Sequence, residues 1–161
     1  MQTISLRSDR DRVVTFEGEL LSSFEQQIQT AGDPIRTIAG RVFALANGGF
    51  VAEVTFDSDE PQEPGIVEVE QIDHFEDVDK FFYVLDLYES LCNHISGRAE
   101  QEACSSRAKR LEREYHKVLF PFLDELKKQV AERGLCDRLQ NQQPNQGGFW
   151  SRFQTKKTSA K

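Results

Sequence analysis

The chain has 161 residues, of which 38% are hydrophobic, enough for one domain with a single modest core rather than a multidomain assembly. No apolar run approaches the roughly 20 residues of a membrane span, and the N-terminal MQTISLRSDRDR has no apolar signal region; both point to a cytoplasmic protein, and with them Cys92, Cys104 and Cys136 read as reduced thiols. The net charge of −7 is segregated: 11 acids and no Lys or Arg lie between Arg41 and Lys80, and the C-terminal half is mildly basic.

Residues 1–12 alternate charge and polarity and read as a frayed start. Val13–Leu21 (VVTFEGELL) has the β-branched and aromatic residues of a strand, in which Gly18 marks a bulge or a close backbone approach. Ser22–Gln29 reads as a short helical turn, and TAGDP at 30–34 as a chain reversal. Ile35–Ala46 and Phe50–Phe56 flank Asn47-Gly48-Gly49, which can take the positive φ of a tight turn, so 35–56 is predicted to be a β-hairpin. In its second strand Phe50, Ala52, Val54 and Phe56 face the core, leaving Val51, Glu53 and Thr55 half solvated. DSDEPQEPG (57–65) is an exposed acidic loop, and IVEVEQI (66–72) a fourth strand.

The period then changes from two to about 3.6. Val78, Phe81, Phe82, Leu85, Tyr88 and Leu91 trace one helix, capped by Asp73 or Asp77 and ended at Ser96-Gly97. Leu111, Tyr115, Val118, Phe122, Leu126 and Val130 form the stripe of a longer helix over about 100–133, with Gly134 just past its end. Pro121 is expected to kink or break it. The fold class is α+β: an antiparallel sheet of about four strands covered by two or three C-terminal helices, spanning residues 1–139. Phe16, Phe43, Phe50, Phe56, Phe82, Leu85, Val118 and Phe122 are the expected core. Residues 140–161 are a polar linker with an aromatic-basic tail.

No catalytic, cofactor or metal signature stands out. Cys92 and His94 are two apart, which on a helix turns them about 200° from each other, and Cys104, His116 and Cys136 are scattered, unlike the paired spacing of a zinc site. Phosphate-binding and nucleophile-elbow motifs are missing, and Asp57, Asp59 and Glu60 lack the turn glycine of a calcium loop. Neither enzyme activity nor a bound cofactor is expected.

Two surfaces remain for binding. Glu53, Glu68 and Glu70 on strands, with Asp77 at the helix start, form an acidic surface for a protein partner. Carboxylates two residues apart on a strand repeat at about 6.6 Å, near the phosphate spacing of one nucleic-acid strand, so a DNA-mimic inhibitor is the alternative function. In the tail, Phe149, Trp150, Arg152 and Phe153 fit a docking peptide for a partner groove or an acidic membrane surface. The long helix offers its stripe to the sheet or to a second copy, as a homodimer contact. Its Arg107, Lys109, Arg110 and Arg113 are interleaved with Glu112 and Glu114, so direct nucleic-acid binding is not expected. The sequence reading is thus a small regulatory or interaction protein.

Overall fold

A computed structural model describes residues 1–9, 12–29, 33–61, 63, 65–83, 87–92 and 95–135, with backbone alone for 88–90. Five strands follow one another as β1 (Gln2–Arg7), β2 (Val13–Ile28), β3 (Arg36–Leu45), β4 (Phe50–Ser58) and β5 (Ile66–Ile72), and three helical segments as α1 (Phe75–Tyr83), α2 (Leu87–Cys92) and α3 (Arg98–Glu132). The strands form one antiparallel meander in chain order. The α+β class and the 35–56 hairpin stand, with five strands in place of about four.

Both extra stretches of strand come from the N-terminal region. Gln2–Arg7 is paired with β2 from Gly18 back to Val13, so the expected frayed start is a strand whose Ile4 and Leu6 point one way. The expected helical turn at Ser22–Gln29 is instead the second half of β2, registered on β3 down to Ile28↔Arg36. The polar run carries no local sign of its partner: pairing along β3 and the burial of Leu21 and Ile28, with Phe24 packed on the same cluster, hold it extended.

The sheet is curled, and both its faces are covered. On one face Phe50, Val54, Phe56, Ile38 and Val42 meet the helices through Val78, Phe82, Tyr115, Leu119, Phe122 and Leu126 in the main core. Phe24 packs against Phe122 at 4.8 Å between ring centroids and against Phe82 at 6.3 Å. On the opposite face β1 and the start of β2 fold over β3–β5. Leu6 and Val14 pack there with Phe43, Leu45, Val51 and Val69 in a second cluster. Asp9 clasps β5, its N–H donating to the Val67 carbonyl at 2.9 Å and its carboxylate accepting from the Val67 N–H at 2.5 Å.

The bend that permits this lies at Gly18 and the register shift between Leu20 and Ser22. A Cβ at residue 18 would sit 2.5 Å from the Ala44 carbonyl oxygen, so only glycine lets the backbones approach. At the hairpin, Gly48 and Gly49 take φ of 93° and 83° as the turn requires.

α3 is one continuous helix of 35 residues that passes through Pro121. Pro121 lies on its solvent face, where water can take the carbonyl left without a donor. Leu119, with no exposure, takes the core place expected for half-buried Val118. Leu85 lies outside the described residues. Gly134 ends the helix at φ 61°, as its place in the sequence implies.

Candidate functional site

The folded-over second layer changes the meaning of the acidic row. Glu53 stands opposite Arg41 on β3 and Val69 on β5, whereas Glu68 and Glu70 stand opposite Val54 and Ala52. Opposed residues share a face, so Glu53 points to the other side of the sheet from Glu68 and Glu70. It is 4% exposed and ion-paired with Arg41. The expectation of a solvated Glu53 in line with Glu68 and Glu70 is therefore corrected: alternation assigns a residue to a face but does not say what roofs that face. Asp77 lies in the first turn of α1, its carboxyl held below the usual range by the hydrogen bond from, and the charge of, Lys80 at 2.5 Å. Phe149, Trp150, Arg152 and Phe153 lie outside the described residues.

Nor is the 57–65 loop merely solvated. Arg36 is fully buried and donates through Nε and one Nη to the two carboxylate oxygens of Glu63, at 2.8 and 2.5 Å. Burial works to raise the Glu63 pKa, but the Arg36 hydrogen bond and charge, with Ser58 and Arg107, hold it below its ordinary value. From α3, Arg107 lies 3.7 Å from both Glu63 and Asp33, and Arg110 3.6 Å from Asp33. These groups tie both loops at that end of the sheet to the helix.

Cys92 and Cys104 are joined as a disulfide between α2 and α3, with Cα atoms 5.9 Å apart. The expectation of reduced thiols fails for this pair because the end of α2 packs beside the second turn of α3. Cysteine usage therefore no longer supports a cytoplasmic location. Among the described residues no group of three or more His, Cys, Asp or Glu could hold a metal ion, and no helix is long and apolar enough to cross a membrane.

What the structure adds is an open strand edge with a hollow beside it. β1 meets β2 only from Val13 to Gly18, while β3 pairs with β2 from Gly18 to Ile28. From Glu19 to Ile28, β2 therefore has a strand partner on one side only among the described residues. α3 packs on the face of this segment, where Leu21, Phe24 and Ile28 meet the helical core. The stretch is about 33 Å long, and every second residue turns its N–H and C=O outward. One side chain answers locally: the Gln26 amide donates to the Gln27 carbonyl at 2.8 Å.

The hollow, about 600 Å³, is lined by Met1, Gln2 and Ile4 of the β1 end, Gly18, Glu19 and Leu20 of β2, and Arg41 and Phe43 of β3. Leu20 is 47% exposed there. Arg41 donates through Nε to buried Glu53 and lies 5.9 Å above the Phe43 ring, so the guanidinium is held in place from below. Its Nη groups donate no hydrogen bond among the described residues. The arrangement is a hollow of mixed polarity, with Leu20 and Phe43 beside Gln2, Glu19 and Arg41, next to a strand edge that is paired on one side only among the described residues. Sequence reasoning missed it because Arg41 and Glu53 sit 12 residues apart and meet only through the hairpin register.

Comparison with protein-family models, with curated proteins and with solved structures finds no match.

Proposed function

We propose that this protein is a small binding module that holds an extended segment of a protein partner on the open edge of β2. The observation that carries this reading is the one-sided pairing of Glu19–Ile28. An added strand would complete the outward backbone hydrogen bonds, which supply affinity without regard to sequence. Its side chains would alternate, and those on the curled side would lie over Leu20 and the hollow. Selectivity would come from there: Leu20 and Phe43 suit an apolar side chain, and the Nη groups of Arg41 suit a carboxylate or carbonyl oxygen. The role is one of binding, with no chemistry of its own. Glu68, Glu70 and Asp77 then serve as a charged surround, and the strand-borne row that mimicry of a nucleic acid would need is reduced to Glu68 and Glu70.

Selection from a displayed library of random dodecapeptides tests the reading. Selected peptides should share an apolar residue and an acidic one at strand spacing. They should bind Arg41→Lys about tenfold more weakly, the loss of one charged hydrogen bond, while that variant keeps a cation over Glu53 and folds normally. No selectable peptide, or peptides indifferent to Arg41→Lys, would contradict it.

A further inference from the structure

We infer that the resident occupant of the open β2 edge is this chain's own C-terminal segment, residues 141–161, lying as an added strand; this rests on the reading of that edge as a strand-accepting surface. Three observations converge on it.

The first is where the described chain stops. Arg133, the residue that caps α3, places Nη1 at 2.8 Å from Oε1 of Glu19. Glu19 is the first residue of the open edge, so the backbone leaves the helix at the head of the surface. Residues 136–148 separate Leu135 from Phe149 and can span about 45 Å when extended, more than the roughly 33 Å of the edge itself.

The second is charge. Residues 141–161 carry Arg152, Lys156, Lys157 and Lys161 and no acid, so with a total of −7 the other 140 residues hold a net −11. The open stretch Glu19–Ile28 has two acids, Glu19 and Glu25, and no base. Glu25 has no ion-pair partner among the described residues. The edge thus lacks the lysines with which exposed strands commonly repel a further strand, and its acids favour a basic one.

The third is pattern. In an extended chain Phe149, Ser151 and Phe153 fall on one face, and Trp150, Arg152, Gln154 and Lys156 on the other. An aromatic ring on the curled side meets Leu20 and the hollow, which is large enough to hold one. Tethered in this way the segment has an effective concentration on the order of millimolar, so a partner strand must displace it. The tail then acts as a built-in competitor that also shields the edge from association between copies.

Trp150 is the chain's single tryptophan and reports on this directly. In the intact protein its fluorescence should be quenched by acrylamide several-fold less than that of a free peptide of residues 149–161. Leu20→Lys with Glu25→Lys, both exposed positions, should restore peptide-like quenching with unchanged far-UV circular dichroism. In full-length protein carrying F149A, W150A and F153A, amide exchange in Glu19–Ile28 should accelerate several-fold. Peptide-like quenching in the wild type, or protection of Trp150 that the edge substitutions leave intact, overturns the inference. If library peptides slow exchange along Glu19–Ile28 while Trp150 stays peptide-like, the tail proposal fails and the partner reading survives. Edge-dependent protection of Trp150 that no library peptide relieves supports the tail proposal and defeats the partner reading.

Discussion

Among the described residues Arg36 is the largest side chain without solvent exposure, and its burial is tolerable because both Glu63 oxygens and the Pro34 carbonyl receive its protons. Replacing Glu63 with Gln leaves a buried guanidinium without its counter-charge and should cost about 3 kcal/mol in urea unfolding. The same pair sets an acid limit. The Glu63 pKa in the folded state lies below its ordinary 4.5, so its contribution is complete above that value and disappears as pH falls through the folded pKa. Denaturation midpoints should drop on acidification below pH 4.5, and E63Q should flatten that part of the profile. Tyr115 gives the opposite sign. Burial, and then the charge of Tyr83, push its hydroxyl well above the usual value of 10, while it donates to the Phe82 carbonyl at 2.9 Å. Its contribution is complete below pH 10 and falls as pH rises, because the unfolded chain ionises first. Tyr115→Phe should cost about 1 kcal/mol at neutral pH and weaken the alkaline loss. Neither partnership was legible in the sequence, since Arg36 and Glu63 are 27 residues apart and Tyr115 and Phe82 are 33 apart. Periodicity marked Tyr115 as inward-facing but could not supply the carbonyl that its hydroxyl needs.

β2 carries the fold's least local information. Its first half belongs to the layer shared with β1, its second half to the face under α3, and Gly18 and the shift at Leu20–Ser22 join them. Gly18→Ala should cost about 1–3 kcal/mol, because the obstructing atom is a backbone oxygen that cannot rotate away. The glycine was readable in VVTFEGELL as a site of close approach, but what it approaches was not. By contrast the β3–β4 hairpin and the end of α3 at Gly134 were legible because turn chemistry at Asn47-Gly48-Gly49 and the αL cap at Gly134 are local requirements. α2 stands between these cases: its disulfide to α3 depends on the packing of two helices that no spacing rule anticipates. Denatured, unreduced protein should show one reactive thiol per chain and three after reduction. Cys92→Ser with Cys104→Ser should lower stability by about 2–3 kcal/mol for a closed loop of this length.

At the scale of the molecule, the acid-rich middle is not a single surface. Glu53 is spent beneath Arg41, Glu63 beneath Arg36, Asp77 on Lys80 and Asp79 on Lys127, leaving Glu70, Asp73 and Glu76 among the exposed acids. The sequence made the charge segregation plain, but the curl of the sheet decides which charges face outward, and the curl depends on contacts between the chain's N-terminus and β5. The same curl leaves the second half of β2 bare on one side, and that bare edge is the basis of the proposed function. Amide exchange along Glu19–Ile28, recorded in full-length protein carrying F149A, W150A and F153A with and without a library-selected peptide, tests it most directly. The account predicts slowing at alternate residues, the signature of a newly paired strand, that weakens in parallel with affinity in Arg41→Lys. Binding that leaves these amides unchanged and instead protects β5 or the α1 start around Asp77 would contradict it.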